Sequence, residues 1–457
     1  MNRNKQLATD FLIYGIGNVG NKFLLFLLFP VLMFFMEREE LGSYDIPFEA
    51  ILFLLPVVTL MMRESTFRLL IDSSDPSYRR AILSATLFIE GIVFIIVLAV
   101  AILLPFFFTI RYFPLIILSI YVYSLYEIYL QAVRSVYSSK EFAFINIVNS
   151  TLTILLVLLF YFVLKQGVES LFTGNILSRL LSIIIIEWPR RKIVNNLSIR
   201  AVKKEHIKEI LSYSLPILVA SIAFGIIASS GKFIVNYFYG NSLSGVLAGA
   251  QKYMTILLVI GTSFYQAWQV TAIKNYQASD REIYVSDVFN KYTLALSLLV
   301  LCIAFGLRSF PFLISPEFQQ SIDLIYLYCV STVFLCLAMF LEIIYQYTKQ
   351  TSKLLYSTFS CACFTPVLTF ILTKYFGVTG NLIALTIAYA YLLIFRYFQT
   401  KPILRVGLKK EFFFSLFILT AGGFFFYFLQ YRAIDYIIFF STALFSIYIL
   451  FGSRKYK

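Results

Sequence analysis

Long apolar runs separated by short polar stretches cover nearly the whole chain of 457 residues. A helix needs about 20 mostly apolar residues to cross a bilayer, and about fourteen runs reach that length. The predicted spans are 11–35, 47–71, 82–105, 113–135, 144–164, 169–187, 210–236, 243–269, 290–313, 321–346, 354–374, 379–398, 411–429 and 434–451. The pattern predicts an all-α polytopic membrane protein.

The basic residues between the spans predict the orientation of the chain. With the N-terminus placed in the cytoplasm, the segments on that side hold 26 of the 38 Lys and Arg residues, and the opposite side holds 6. Cytoplasmic loops are the ones enriched in Lys and Arg. We therefore expect an even number of spans and both termini in the cytoplasm.

Composition agrees with a chain whose main solvent is lipid. Hydrophobic residues make up 60%, charged residues only 14%, and the mean hydropathy is +0.82. Soluble domains carry about 25% charged residues. The net charge of +14 is explained by orientation and contact with anionic lipid, so no nucleic-acid partner is expected. The N-terminus is expected to be an uncleaved first span. The five cysteines show no metal-ligand spacing, and no metal or cofactor is predicted.

The longest loop divides the spans into two sets. We predict an N-terminal lobe at 1–187 (helices 1–6), a basic cytoplasmic linker at 188–209, and a C-terminal lobe at 210–398 (helices 7–12). Two additional helices follow at 399–457. Two related bundles joined by a linker are typical of transporters, although the internal similarity of these two halves is faint.

Charged residues inside the spans are the candidates for function, because burying a charge in lipid is costly. The bases are Lys22, Arg63, Arg68, Arg179, Lys232 and Lys252, and the acids include Glu64, Glu90, Glu127, Glu187 and Glu342. Several lie in helical stripes of polar residues, which are Tyr14–Asn18–Lys22, Tyr123–Glu127–Gln131–Arg134, Ser229–Lys232–Asn236 and Lys252–Thr255 followed by Thr262–Gln266. Such stripes predict one shared wet cavity, whose surplus of bases favours an anionic, phosphate-bearing substrate.

Structural roles compete with these functional ones. Glu64 and Arg68 have the i, i+4 spacing of an ion pair within one helix. Arg179 has two structural alternatives, which are to extend toward the interface or to pair with Glu187.

Two stretches resemble bacterial polysaccharide flippases of the Wzx type. In residues 47–72, the positions that carry the resemblance are Pro56, Thr59-Leu60, Glu64 and Arg68. In residues 211–276, they are the Ser-Leu-Pro opening, Lys252 in its AQKY context and the sequence SFYQAWQ. Many relatives have an Asp-Arg pair where this chain has Gly231-Lys232. The base is kept and the acid is lost, which places a cation-coupling role of that acid in doubt.

The resemblance implies the multidrug/oligosaccharidyl-lipid/polysaccharide (MOP) exporter superfamily, with two six-helix lobes around a central cavity and alternating access. The implied cargo is an undecaprenyl-diphosphate-linked oligosaccharide used for cell-surface polysaccharide such as O-antigen. Two additional C-terminal helices resemble those of lipid II flippases. A polysaccharide polymerase and a chain-length regulator are the implied protein partners.

On this basis we predict that Lys22, Arg63, Arg68, Lys232 and Lys252 attract the diphosphate. Asn18, Gln266 and Trp268 are expected to contact sugar or shape the cavity. Glu64, Glu127 and Arg134 are candidates for ion coupling or pairing, with H⁺ or Na⁺ as the coupling ion.

Two other functions stay open at this stage. A drug–cation antiporter of the same superfamily would need an essential acid, for which Glu64, Glu127 and Glu342 are the candidates. A membrane polymerase or acyltransferase is disfavoured, because the outside loops are short and the only histidine, His206, lies in the basic loop.

Overall fold

A computed structural model describes residues 28–452 except for 74, 137–138, 189–192, 194, 196, 275–277, 349 and 430. Every regular element in these residues is helical. The main helices are α1 (Arg38–Val58), α2 (Met62–Asp72), α3 (Pro76–Leu103), α4 (Phe113–Val136), α5 (Ser139–Leu158), α6 (Glu169–Glu187), α7 (Lys204–Lys274), α8 (Arg281–Ser309), α9 (Ile322–Tyr347), α10 (Thr351–Thr400), α11 (Lys410–Phe428) and α12 (Arg432–Gly452). Short helical turns lie at Leu104–Phe106, Leu159–Val163, Ile199–Ala201, Pro311–Leu313 and Pro316–Ser321.

The helices confirm the all-α membrane fold class. Ten helices of the described residues are long and apolar enough to cross a membrane. Two of them, α7 and α10, bend at Gly240 and Gly377, whose φ values of 70° and 63° are open to glycine at low cost. Each bent helix therefore covers two predicted spans. The first predicted span, 11–35, lies mostly outside the described residues.

The second predicted span differs from the structure. The helical chain begins at Arg38 rather than at 47, and it is interrupted between α1 and α2. Leu60 and Met61 have positive φ values of 46° and 52°, which an uninterrupted helix does not allow. The single helix expected at 47–71 is therefore wrong, because apolar periodicity continues across a backbone break that it does not register.

The described residues form two compact units. One, which we call the N-terminal unit, is Ser43–Ile226; the other, the C-terminal unit, contains the described parts of Met1–Gly42 and Ile227–Lys457. The division predicted from sequence, with lobes at 1–187 and 210–398, a linker at 188–209 and two additional helices at 399–457, stays a prediction.

Burial differs strongly between helices and separates core from lipid-facing elements. Of the 18 consecutive residues that form the most apolar part of each helix, 78% are buried in α9 and 67% in α8, but only 17% in α3. Ile95 and Ile96 of α3 are 67% and 57% exposed. Large aliphatic side chains that face outward along a 28-residue helix are stable only in lipid. The chain is a multi-pass membrane protein.

Within the C-terminal unit, hydrogen bonds connect the loop before α11 to the N-terminal part of α8. The backbone N–H groups of Gly407 and Lys409 donate to Ser286 Oγ at 2.8 Å and Asn290 Oδ1 at 2.9 Å. Asn290 Nδ2 in turn donates to the Gly407 carbonyl at 2.8 Å. These bonds hold the loop before α11 against the first turns of α8.

Candidate functional site

A charged cluster lies on α2 and α4 of the N-terminal unit. Arg63 Nη1 is 3.0 Å from Glu127 Oε2, and Arg63 Nε is 3.2 Å from Glu64 Oε1. All three side chains are partly exposed, at 35%, 26% and 41%. Glu64 therefore pairs with its sequence neighbour and with no other described base, so the predicted Glu64–Arg68 pair is wrong. The helix break before α2 places Arg63 toward α4, which helical spacing alone does not reveal.

Arg63 is predicted to attract the diphosphate, but its charge is already paired in this structure. Its guanidinium contacts two carboxylates, so its positive charge is already neutralised within the unit. A diphosphate would have to compete with both acids for it. Arg68 lies exposed on α2, one turn beyond Glu64.

Arg179 on α6 occupies a second polar position in the same unit. Its guanidinium carbon lies 3.4 Å from the centre of the Tyr123 ring, and its Nη1 donates to Asn175 Oδ1 at 2.9 Å. The predicted pair with Glu187 is wrong, because Glu187 accepts hydrogen bonds from Tyr129 Oη at 3.1 Å and Ile193 N at 2.8 Å instead.

Three predicted site residues cannot be compared with the structure. Asn18 and Lys22 lie outside the described residues, and so does the side chain of Arg134. Their predicted roles stay predictions.

The polar stripe predicted on the second half of α7 lies on a partly exposed face of the C-terminal unit. Lys252, Thr255, Thr262 and Gln266 are all partly exposed. The Lys252 ammonium lies 4.0 Å from the centre of the Phe29 ring, a cation–π distance. The stripe therefore combines one base with neutral donors and acceptors along about four helical turns.

Trp268 lies on the other side of the same helix. It follows Gln266 by two residues, or about 200° around the helix. Its side chain is 1% exposed and stacks on Phe340, with ring centres 4.6 Å apart and planes at 10°. In this structure it packs α7 against α9. That Trp268 contacts sugar or shapes the cavity stays a prediction.

Lys232, which is predicted to attract the diphosphate, is 6% exposed in this structure, and that role stays a prediction. Its neighbour Gly231 packs against Asn381 of α10, whose Oδ1 occupies the place that a Cβ at Gly231 would take. Any side chain there, including the Asp of the resembled pattern, would collide with Asn381. The loss of that acid thus has a local steric reason.

We expect Gly231→Ala to lower the stability of the C-terminal unit by about 1–3 kcal/mol, because the added methyl overpacks the contact with Asn381. The measurement is unfolding in mixed detergent micelles. Adding Asn381→Ala should restore much of the loss, since it removes the colliding oxygen. Equal stability of wild type and Gly231→Ala would contradict the steric explanation.

A third polar group, which joins α7, α9 and α10 within the C-terminal unit, was not predicted. Arg396 is 3% exposed, and its Nη1 lies 3.1 Å from Glu342 Oε2. Tyr265 Oη donates to the other Glu342 oxygen at 3.2 Å, and Gln346 Nε2 donates to Tyr265 Oη at 2.9 Å. Arg396 lies within the predicted span 379–398, and this position of a base inside a span is the sequence signal that points to it.

The arginines neutralise every acid that was a candidate for cation exchange. Glu64 and Glu127 contact Arg63, and Glu342 contacts Arg396. Among the described residues, no group of three or more His, Cys, Asp or Glu side chains could hold a metal ion.

Solved structures with the same fold exist, although no family model matches the chain and no curated protein is significantly similar in sequence. An inward-facing multidrug resistance MATE family transporter of the MOP superfamily has a TM-score of 0.68 at 15% identity, over 87% of this chain and 94% of that one. An outward-facing MATE transporter has a TM-score of 0.62 at 15% identity, over 92% and 97%.

A third structure belongs to a MOP superfamily transporter from Pyrococcus furiosus, for which reverse polarity of the binding pocket suggests a different function. Its TM-score is 0.62 at 14% identity, with 92% of this chain and 97% of that chain covered. This chain has the fold of the MATE-type transporters of the MOP superfamily.

Proposed function

We propose that this protein moves an undecaprenyl-diphosphate-linked oligosaccharide across the bacterial cytoplasmic membrane by alternating access, for cell-surface polysaccharide biosynthesis. The lipid tail stays in the bilayer while the diphosphate and sugar cross. Both termini lie in the cytoplasm. A polysaccharide polymerase and a chain-length regulator are the proposed protein partners, and an H⁺ or Na⁺ gradient is a candidate driving force.

The observation that carries the proposal is the pairing of the membrane acids. Glu64, Glu127 and Glu342 each contact an arginine, so a cationic drug would have to displace a guanidinium to reach them. Lys252 lies on a partly exposed face of α7, with its ammonium 4.0 Å from the centre of the Phe29 ring. A base in that setting binds phosphoryl oxygens through charge-assisted hydrogen bonds.

A MATE-like drug or cation antiporter remains the second candidate, and its support is the fold. The Pyrococcus furiosus transporter is relevant here, because reverse polarity of its binding pocket suggests a different function for it. By the same reasoning, a partly exposed base and neutralised acids favour an anionic cargo for this chain.

The test is flipping of a fluorescent polyprenyl-diphosphate oligosaccharide in proteoliposomes. We expect Lys252→Ala to lower the initial rate at least tenfold, since loss of one charge-assisted contact to phosphate costs about 1.5–3 kcal/mol. Lys252→Arg, which keeps the charge, should retain most of the rate. Thr358→Ser, a buried conservative change away from the stripe, is the control for handling.

Flipping that continues unchanged in Lys252→Ala would contradict the proposed role of this lysine. Absence of flipping in wild type, together with export of a cationic dye against a proton or sodium gradient, would favour the antiporter.

A further inference from the structure

Arg179 is a base within a membrane helix, and no acid of the described residues contacts it. Among the residues that the structure describes, its partners are two aromatic rings and Asn175. An arginine within a span normally pairs with an acid or extends to the interface. The nearest acid on α4, Glu127, is bound to Arg63 at 3.0 Å and does not neutralise it.

The guanidinium is held in a defined orientation. One face lies on the Tyr123 ring, with the guanidinium carbon 3.4 Å from its centre, and Tyr126 lies 5.8 Å away. Nη1 donates to both the carbonyl and the Oδ1 of Asn175, at 2.8 and 2.9 Å. Tyr123 Oη donates to the same Oδ1 at 3.3 Å, which fixes the amide.

This arrangement leaves donors for a ligand. Among the described residues, Nη1 donates two hydrogen bonds to Asn175, and the side chain also bonds to Tyr123. A guanidinium has five N–H groups, so at least two of them stay available to a ligand. The Arg179 side chain is partly exposed, so these groups are reachable. A guanidinium whose face is covered and whose edge is open matches the planar oxygens of a phosphoryl group.

We propose that Arg179, positioned by Tyr123 and Asn175, is an anion-binding site of the N-terminal unit that takes a phosphoryl or diphosphate group. No carboxylate of the described residues contacts this guanidinium, so the bound anion supplies the negative charge that neutralises it. The assignment deepens the proposed function and rests on it only for the identity of the cargo, since anion binding can be measured without transport.

The experiment measures binding of inorganic pyrophosphate by calorimetry to the full-length protein in nanodiscs of zwitterionic phosphatidylcholine. A second arm measures retention of a radiolabelled polyprenyl diphosphate in the same nanodiscs. We expect Arg179→Gln to weaken binding at least tenfold. The matched control is Arg111→Gln, because Arg111 is an exposed arginine of the same unit that also lies over a tyrosine, 4.9 Å from the centre of Tyr112.

A second variant keeps Arg179 but gives it a carboxylate partner within the protein, so that the guanidinium is no longer available to an added anion. Asn175→Asp places a carboxylate where the Oδ1 already accepts from Arg179, which creates an internal ion pair one turn away. Binding should fall at least tenfold although the fold is preserved. A merely structural role of Arg179 would leave binding unchanged by this substitution.

Each outcome decides the assignment. Loss of pyrophosphate binding in both variants, with Arg111→Gln within twofold of wild type, supports a site for free diphosphate. If both variants lose binding of the polyprenyl diphosphate and pyrophosphate binds to none of the proteins, the site is one for a lipid headgroup. Equal binding of wild type, Arg179→Gln and Asn175→Asp, or no binding of either probe to wild type, overturns it.

The proposed function fails separately. Intact anion binding without flipping would refute the flippase and leave this site standing.

Discussion

Glu342→Leu is expected to destabilise the C-terminal unit by about 3–5 kcal/mol, one of the two largest effects that we predict. The substitution leaves the guanidinium of Arg396, whose side chain is 4% exposed, without a carboxylate in a low-dielectric interior. An arginine cannot lose its proton to escape this cost. The remaining partners of Arg396 accept hydrogen bonds but carry no charge; they are the Ala338 carbonyl at 2.9 Å and the hydroxyls of Thr358 at 3.1 Å and Ser357 at 3.3 Å.

The measurement is equilibrium unfolding in mixed detergent micelles, with a double variant to isolate the pair. Glu342→Leu combined with Arg396→Met should be more stable than Glu342→Leu alone, because apolar replacement of a whole buried ion pair is often neutral. Asp287→Leu is the matched control, since Asp287 and Lys409 form a pair in the same unit with side chains 41% and 43% exposed. That variant should lose less than about 1 kcal/mol. Equal losses at the two sites would show that burial of the pair is not the cause.

Arg308→Met is the second large effect, again about 3–5 kcal/mol, and its consequences should be regional. Arg308 of α8 forms a two-pronged ion pair with Asp435 of α12, whose side chain is 3% exposed. The same guanidinium donates to the carbonyls of Phe426, in the last turn of α11, and of Leu429, the residue that follows this helix. Carbonyls at the end of a helix lack partners within the helix. One side chain thus joins three helices.

Hydrogen exchange measures this effect by region. In Arg308→Met, exchange should rise in Lys410–Phe428 and in the described part of α12, while α9, which is mostly buried, keeps its protection. Arg111→Met, at an exposed arginine of the N-terminal unit, should change neither region. A uniform rise across α9, α11 and α12 would contradict a local role of this arginine.

Some features of the candidate site could be predicted from the sequence. The stripe from Lys252 to Gln266 was readable because residues of one helical face recur every three or four positions. The same reasoning failed for Glu64, where it predicted Arg68 as partner although the structure pairs Glu64 with Arg63. Spacing along one helix predicts only partners on that helix. It contains no information on Glu127, which lies 64 residues after Arg63 in the sequence and pairs with it.

The sequence by itself determined that this chain crosses the membrane many times as helices. Apolar runs of about twenty residues leave the backbone no other way to satisfy its hydrogen bonds in lipid. Only the tertiary structure decided which charges meet, because Arg63 with Glu127 and Arg396 with Glu342 come from different helices. It also decided that Trp268 is core and that Arg179 contacts rings instead of acids, since both depend on the neighbours that each helix face receives.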